Sequence, residues 1–186
     1  MTETPSYSVI RKENEFELRE YPAYIKAEVD VTETSFKRAI YKGFNVLAGY
    51  IFGDNIKTEK IAMTTPVQVS ESQKIAMTTP VTISGDGSYT MAFIMPAEYT
   101  LETLPVPKDS AIRLTSVPKH RMAVIRFNGF FPEARIKKGE QRLREWVEKE
   151  GFKTEGDFIV AGYNPPWVPG FLARNEVMIM IKSGNT

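Results

Sequence analysis

The sequence predicts an α+β fold, in which a distorted antiparallel β-barrel is flanked by two long helices. Three observations support this prediction. Several stretches alternate apolar and polar residues with a period of two, as half-buried strands do. Two longer stretches place apolar residues at helical spacing. The order of elements in the second half follows that of the first after a shift of 96 positions, so we expect a pseudo-twofold repeat of a ββαββ unit.

The first half, residues 6–96, begins with three predicted strands. Residues 6–11, 15–20 and 23–31 combine apolar and charged residues with a period close to two. Pro22 fixes φ in the short connection before the third strand. The alternation predicts that each strand buries one face and exposes the other.

Two helices are predicted, over residues 35–50 and 132–150. Thr34 is a suitable N-cap for the first, because its side-chain oxygen can accept a hydrogen bond from the first turn. The apolar residues of the first helix that are expected to face the core are Phe36, Ile40, Phe44 and Leu47. Lys37 and Tyr41 lie off this stripe. The equivalent stripe of the second helix consists of Ile136, Leu143, Trp146 and Val147.

The octapeptide KIAMTTPV occurs twice, at residues 60–67 and 74–81. The copies are 14 residues apart, an even number, so two extended copies would present the same side chains to the same face. The proline in each copy lacks a backbone donor, which favours a strand end or an edge strand. The Gly-Asp-Gly turn at residues 85–87 then predicts a hairpin between strands at 81–84 and 89–95.

A proline-rich linker at residues 97–110 separates the two halves. The second half, residues 111–182, repeats the pattern of the first, and the shift places Leu18 on Leu114. Its strands are predicted at residues 111–117, 121–127, 157–163 and 176–182. We therefore expect a single domain over residues 1–186.

Composition argues against several classes of function. The 186 residues carry a net charge of +1, so bulk electrostatics indicate neither nucleic acid nor an anionic membrane as a partner. The chain has no cysteine, which excludes thiolate nucleophiles and iron–sulfur centres. It shows no signal peptide, and no apolar run approaches the roughly 18 residues that a membrane span needs. We expect a cytoplasmic protein without a membrane span, and the oligomeric state is left open.

Two motifs resemble the signature of the SOUL family of haem-binding proteins. One is IAMTTPV at residues 61–67, and the other is AGYNPPWVPGFLARNEVMI at residues 161–179. The resemblance extends over about residues 16–182. It implies non-enzymatic, non-covalent binding of haem or a related tetrapyrrole, and a barrel-like antiparallel sheet flanked by two long helices.

The family resemblance also implies a shallow hydrophobic surface cleft between the first helix and the loop at residues 164–171. Carried onto this sequence, the residues of the helix that contribute are Lys37, Ile40, Tyr41 and Phe44. Lys37 would be a partner for a haem propionate. Those of the loop and its borders are Tyr163, Trp167, Val168, Phe171 and Arg174.

The loop supports this interpretation because prolines restrict it while its aromatic residues can stack on a flat ligand. The alternative is that Trp167 and Phe171 fold back as a lid on the end of the barrel. Arg174 would pair either with a propionate or with a local acid such as Glu176.

His120 is the only histidine, and therefore the only imidazole available as an axial ligand to haem iron. The alternative is a polar turn residue after Pro118. A catalytic triad would need the same imidazole, and no serine elbow lies nearby, so no catalytic residue is predicted. Met63 and Met77 offer thioether ligands, although methionine in an apolar strand usually fills a core.

Alternative functions follow from the same residues. One is a binding or sensing module for other amphipathic small molecules, and another is a protein-interaction domain that uses the loop around Trp167. An enzyme that uses Glu or Tyr as acid or base is disfavoured, because no convergent acid–base set is visible. The acidic residues Glu13, Glu15, Glu17 and Glu20 alternate with basic ones, which indicates a solvated face.

Overall fold

The computed structural model describes residues 6–33, 35–62, 67–71, 87–129, 132–163 and 173–182. Within them the chain forms nine strands and two helices. The strands are β1 (Ser8–Glu13), β2 (Phe16–Tyr21), β3 (Tyr24–Thr32), β4 (Val67–Glu71), β5 (Ser88–Ile94), β6 (Arg113–Val117), β7 (His120–Asn128), β8 (Thr154–Gly162) and β9 (Arg174–Ile181). The helices are α1 (Phe36–Ile51) and α2 (Glu133–Lys149). The predicted α+β class is confirmed.

The nine strands form one antiparallel sheet in the order β1-β2-β7-β9-β8-β4-β5-β3-β6. β1 and β6 lie at its two ends, and no ladder joins them within the described part of the chain. The predicted barrel is wrong in this respect, because the sheet is not closed. The reason is that β2 uses both of its edges to pair with β1 and β7, while β3 pairs with β5 and β6.

The open sheet is nevertheless strongly rolled. β2 and β3 lie six positions apart in the strand order, which in a flat sheet would separate them by about 29 Å. Pro22 and Ala23 alone connect the two strands, and three Cα–Cα steps reach no more than about 11 Å. A two-residue link also joins β6 to β7, which are again six positions apart. Tyr24 of β3 and His120 of β7 lie on the face opposite the helices, and their ring centroids are 5.6 Å apart although the two strands are five positions apart. That face is therefore the inside of the roll.

The strand order is symmetric when β1 is left out. It reads the same from either end if β2, β3, β4 and β5 are matched with β6, β7, β8 and β9. α1 and α2 occupy matching places in the chain, each after the second of these strands. This order is compatible with the ββαββ repeat, which stays a prediction.

Both helices pack on the outer side of the roll. The buried residues of α1 are Ala39, Gly43, Leu47, Ala48, Tyr50 and Ile51, and those of α2 are Ile136, Gly139, Leu143, Trp146 and Val147. The predicted stripe of α2 is thus confirmed. Gly43 lets α1 approach β5 closely, because a Cβ at this position would lie 3.0 Å from the Cβ of Met91. The N-cap of α1 is Ser35, and Thr34 lies outside the described residues.

The duplicated octapeptide is described only in part. Residues 60–62 form no strand, and β4 begins at Val67, the last residue of the first copy. The second copy, the predicted strand at 81–84, Met63 and Met77 all lie outside the described residues. The linker contains turns and one bridge, between Asn55 and Pro107. His120 belongs to β7 itself rather than to the turn before it.

Candidate functional site

The outer face of α1 carries the first group of predicted site residues. Lys37 and Tyr41 line an open depression of about 510 Å³, together with Glu33, Arg38 and Lys42. The side chain of Tyr41 is 72% exposed. Helix periodicity explains this exposure, since the buried stripe of α1 occupies the opposite side of the helix. We call this surface the Tyr41 depression.

Positive charge exceeds negative charge in the Tyr41 depression. Lys37, Arg38 and Lys42 supply three cations, and Glu33 supplies one carboxylate. Lys42 Nζ lies 2.7 Å from Glu33 Oε1, and the hydrogen bond from Lys42 lowers the pKa of the Glu33 carboxyl. The depression therefore combines one exposed aromatic ring with a surplus of cations.

Ile40 and Phe44 lie on the core side of α1. Both are half-buried and pack against the hydrophobic core between α1 and the sheet. The Phe44 ring lies 5.4 Å from the Phe93 ring at an interplanar angle of 64°, an edge-to-face arrangement. The structure does not bring these two side chains to the Tyr41 depression, and their part in a ligand cleft stays a prediction.

The loop predicted to complete the cleft, with Trp167, Val168 and Phe171, lies outside the described residues. Its two borders are described and lie together. The guanidinium of Arg174 lies 4.1 Å from the centroid of the Tyr163 ring. Arg174 also donates to Glu176 Oε1 at 2.6 Å through Nη2. Of the two partners weighed for Arg174, the structure shows the local acid.

The inside of the roll holds a group of charges that we call the interior cluster, made of Glu17, Arg19, Arg174 and Glu176. Arg19 is fully buried and donates to both carboxylate oxygens of Glu176, at 2.8 Å and 2.9 Å. Its Nε donates to Glu17 Oε2 at 2.7 Å. The Arg19 guanidinium also lies 4.2 Å from the centroid of the Tyr7 ring. β2 and β9 thus each supply one guanidinium and one carboxylate to the interior cluster.

Burial and ion pairing act in opposite directions on the interior cluster. Burial acts to raise the pKa of Glu176, but the hydrogen bonds and charge of Arg19 hold that pKa below its ordinary value. Burial acts to lower the pKa of Arg19, but its bonds to Glu176 raise that pKa. Burial and the nearby Glu176 charge raise the pKa of the Tyr163 hydroxyl. The cluster is therefore a set of fixed charges that satisfy one another.

His120 is also on the inside of the roll. It pairs with Tyr21 in the β2–β7 ladder, and the two rings stack with centroids 5.6 Å apart. Its Nδ1 donates to the carbonyl oxygen of Pro118 at 2.8 Å. Burial lowers the pKa of the imidazole, so the ring is neutral at pH 7. The structure does not bring His120 to the Tyr41 depression, which lies on the solvent side of α1.

A family profile described as "SOUL heme-binding protein" matches residues 2–180. The chain belongs to the SOUL haem-binding protein family. The resemblance stated from IAMTTPV and the motif at residues 161–179 is thereby confirmed.

Two relatives of this SOUL protein have names that record the same ligand. "Heme-binding protein 1" of Xenopus laevis is 26% identical over 162 residues, which cover 87% of this chain and 81% of that protein. "Heme-binding protein 2" of Homo sapiens is 26% identical over 172 residues, which cover 92% of this chain and 80% of that protein. Haem or tetrapyrrole binding is thus supported at the level of the family.

Solved structures with the same fold belong to proteins with more varied names. The C-terminal domain of EcmrR superposes with a TM-score of 0.67 at 12% identity, over 96% of this chain and 99% of that one. A hydrolase from Listeria innocua superposes with a TM-score of 0.57 at 12% identity, over 93% and 94% of the two chains. At these identities the likeness shows the fold alone.

No helix within the described residues is long and apolar enough to cross a membrane. The same residues contain no group of three His, Cys, Asp or Glu side chains placed to hold a metal ion. Of the predicted site residues, Lys37 and Tyr41 are the ones that line the Tyr41 depression.

The sequence predicts one pair of the interior cluster, Arg174 with Glu176, as an alternative, but it does not predict the buried part around Glu17 and Arg19. Glu17 was interpreted as part of a solvated face, but it is buried. One signal was available: Glu17 and Arg19 are opposite charges two residues apart in a strand, so they share one face. Glu176, the other partner of Arg19, lies 157 residues from Arg19 in the sequence.

Proposed function

We propose that this SOUL protein binds haem or a related tetrapyrrole, without a covalent bond, in a shallow cleft on the outer face of α1. The observation that carries the proposal is the exposed ring of Tyr41 beside Lys37, Arg38 and Lys42. The family description and the names of both relatives support it. We further propose that Trp167, Val168 and Phe171, in the loop bordered in the sequence by Tyr163 and Arg174, contribute to the ligand site.

The side chains of the Tyr41 depression fit the chemistry of this ligand. Haem is a flat, largely apolar ring with two propionates at its edge. The Tyr41 ring offers a stacking surface, and the surrounding cations offer partners for carboxylates. Exposed ion pairs contribute roughly 0.2–1 kcal/mol each, so most of the affinity must come from apolar contact. When bound, haem supplies iron chemistry, and the chain supplies a binding surface and an orientation for the propionates.

The proposal assigns no catalytic step to the chain. The buried carboxylates of Glu17 and Glu176 are already paired with Arg19 and Arg174, so neither is poised to transfer a proton at neutral pH. We also infer that His120 is not the axial ligand of this cleft, because its ring packs inside the roll against Tyr21.

We further infer a cytoplasmic location and no nucleic-acid partner, in keeping with the net charge of +1. The symmetric strand order supports the interpretation of the chain as one domain built from two ββαββ halves. The competing proposal is a module that binds other amphipathic ligands or protein partners. It predicts that hemin added to the protein shows no saturable change in its Soret band.

Titration of the purified chain with hemin tests the proposal through the Soret band. We expect saturable binding, which Tyr41→Ala weakens by about three- to tenfold, because aromatic contacts contribute about 0.5–1.5 kcal/mol. Phe52→Ala is the matched control, since Phe52 is a 62% exposed aromatic residue at the other end of α1.

The same titration tests the role of the imidazole. His120→Ala should leave the position of the Soret band unchanged. A shifted band would restore His120 as the iron ligand. Absence of a saturable Soret change, or equal affinity of Tyr41→Ala and the unaltered chain, would refute binding at α1.

A further inference from the structure

A second cavity lies where β2 turns into β3, away from the Tyr41 depression. Its volume is about 500 Å³, which is within the range of small-molecule sites. Its walls come from the β2–β3 link, the end of β5 with the loop that follows, and Ser116 of β6. We call it the Tyr99 cleft, and its main lining residues are Tyr24, Ile25, Pro96, Tyr99, Glu102 and Ser116.

The loop after β5 forms a fixed wall of the Tyr99 cleft. Met95 N donates to the carbonyl oxygen of Ile25 at 2.8 Å, which ties the start of the loop to β3. At its other end the buried Tyr50 hydroxyl donates to the carbonyl oxygen of Pro105 at 2.7 Å, and Leu104 is buried in the core. Such a wall is already ordered before a ligand arrives, so binding costs less conformational entropy.

The lining combines apolar surface with one negative charge. Most of the lining side chains are apolar or aromatic, and Glu102 is the one charged side chain among the described lining residues. Hydrogen bonds from Thr100 and from its own backbone lower the pKa of Glu102, so it is an anion at neutral pH. Tyr24 and Tyr99 also line the cleft, and the faces of aromatic rings carry partial negative charge.

We propose that the Tyr99 cleft is a binding site for an aromatic organic cation. The tyrosine rings and the apolar wall would hold the aromatic body, and Glu102 would attract the positive charge and repel anions. The Tyr41 depression has the opposite sign, since cations surround its ring. The protein thus has two surfaces that select ligands of opposite charge, and neither proposal requires the other.

A matched pair of dyes tests the proposed selectivity on the full chain. The cation is dimethylaminostyryl-methylpyridinium, and the anion is anilinonaphthalene sulfonate. Both become fluorescent when they are held in an apolar site. We expect saturable binding of the cation and at least about fivefold weaker binding of the anion. Glu102→Gln should weaken binding of the cation by about two- to fivefold, as expected for an exposed charge pair.

Two variants locate the bound cation. Ser116 is exposed on the edge strand β6, where tryptophan is compatible with a strand. Ser116→Trp should fill the Tyr99 cleft and weaken binding of the cation by more than about tenfold. Tyr41→Ala is the control, and it should weaken hemin while leaving binding of the cation unchanged.

Three outcomes would overturn the second site. They are equal affinity for the two dyes, unchanged binding of the cation in a folded Ser116→Trp variant, and loss of binding of the cation in Tyr41→Ala. The circular dichroism spectrum of Ser116→Trp shows whether that variant is folded. If it is not, Ala97→Trp, on the exposed loop side of the same cleft, replaces it.

Discussion

Replacing Arg19 with methionine would test the interior cluster, because this guanidinium lies at its centre. Arg19 is fully buried and makes hydrogen bonds to Glu17 and Glu176. Removing one partner of a buried ion pair typically costs about 3–5 kcal/mol, since the remaining charge is left uncompensated. Arg174 still bonds to Glu176 at 2.6 Å, so we expect the lower end of this range, about 3 kcal/mol.

The loss in Arg19→Met should depend on pH. In the unaltered chain, burial acts to raise the pKa values of Glu17 and Glu176, but Arg19 holds both below their ordinary values. Their stabilising contribution is therefore present above the unfolded pKa, near about 4.3, and is lost as the pH falls through the folded values. Without Arg19, only Arg174 at Glu176 and Lys12 at Glu17 still oppose the effect of burial. The pKa values of both carboxyls should therefore rise relative to the unaltered chain, so that these carboxyls stabilise the variant less as the pH rises. The difference in stability should shrink from pH 7 towards pH 4.

Urea unfolding followed by circular dichroism measures this difference at the two pH values. Lys119→Met is a suitable control, because Lys119 forms an exposed ion pair with Glu20 and should have little effect. A loss below about 1 kcal/mol in Arg19→Met at pH 7, or the same loss at both pH values, would contradict our account of the cluster.

Two further predictions concern the contact between Gly43 of α1 and β5, and the hydrogen bond from Tyr50 to the loop after β5. Gly43→Ala should lower the thermal midpoint, because its Cβ would lie 3.0 Å from Met91 Cβ and overpacking costs about 1–3 kcal/mol. Gly49→Ala is the control, because a Cβ at this position would meet no atom closer than 3.9 Å. This variant should gain up to about 1 kcal/mol of stability from helix propensity. If both variants shift the thermal midpoint in the same direction, the packing argument is wrong. Tyr50→Phe should lower the free energy of unfolding by about 1–3 kcal/mol, because the buried carbonyl oxygen of Pro105 loses its 2.7 Å hydrogen bond. Calorimetry measures this loss. An unchanged stability would show that water replaces the tyrosine hydroxyl.

The elements that the sequence predicts well are those with local signals. α2 begins directly after Pro132, buries the predicted apolar stripe, and is followed by Gly151 with φ at +72°. β7 is likewise found where the alternation places it, one residue earlier than expected. Such features depend on neighbours within one or two turns of chain, so the sequence contains the information directly.

Pairing between distant strands is not visible in a single sequence. Nothing local shows that β2 has both edges occupied, which is why closure of the barrel was predicted and is not found. The same limit applies to Glu17. An alternating strand normally has a solvated face, but in a rolled sheet the second face is also buried, and its polar residues must find partners there.

For the candidate site, the sequence predicts which side of α1 carries Lys37 and Tyr41, but it does not predict how far the cleft extends towards the core. Helical spacing separates Lys37 and Tyr41 from the core stripe, and the structure places both on the surface. The sequence assigns Ile40 and Phe44 both to the core and to the cleft. The structure shows their core contacts, and their part in the cleft stays a prediction. Whether a half-buried residue also reaches a ligand depends on tertiary contacts that spacing does not reveal.

The order of the strands also shapes how the chain must assemble. β2 precedes α1 but pairs with β7, whereas β6 follows the linker but pairs with β3. The arrangement is that of a domain-swapped dimer contained in one polypeptide, because the first half pairs β2 with the second half and the second half pairs β6 with the first. A backbone cut within residues 97–110 should therefore yield two fragments that complement each other, and neither should fold without its counterpart.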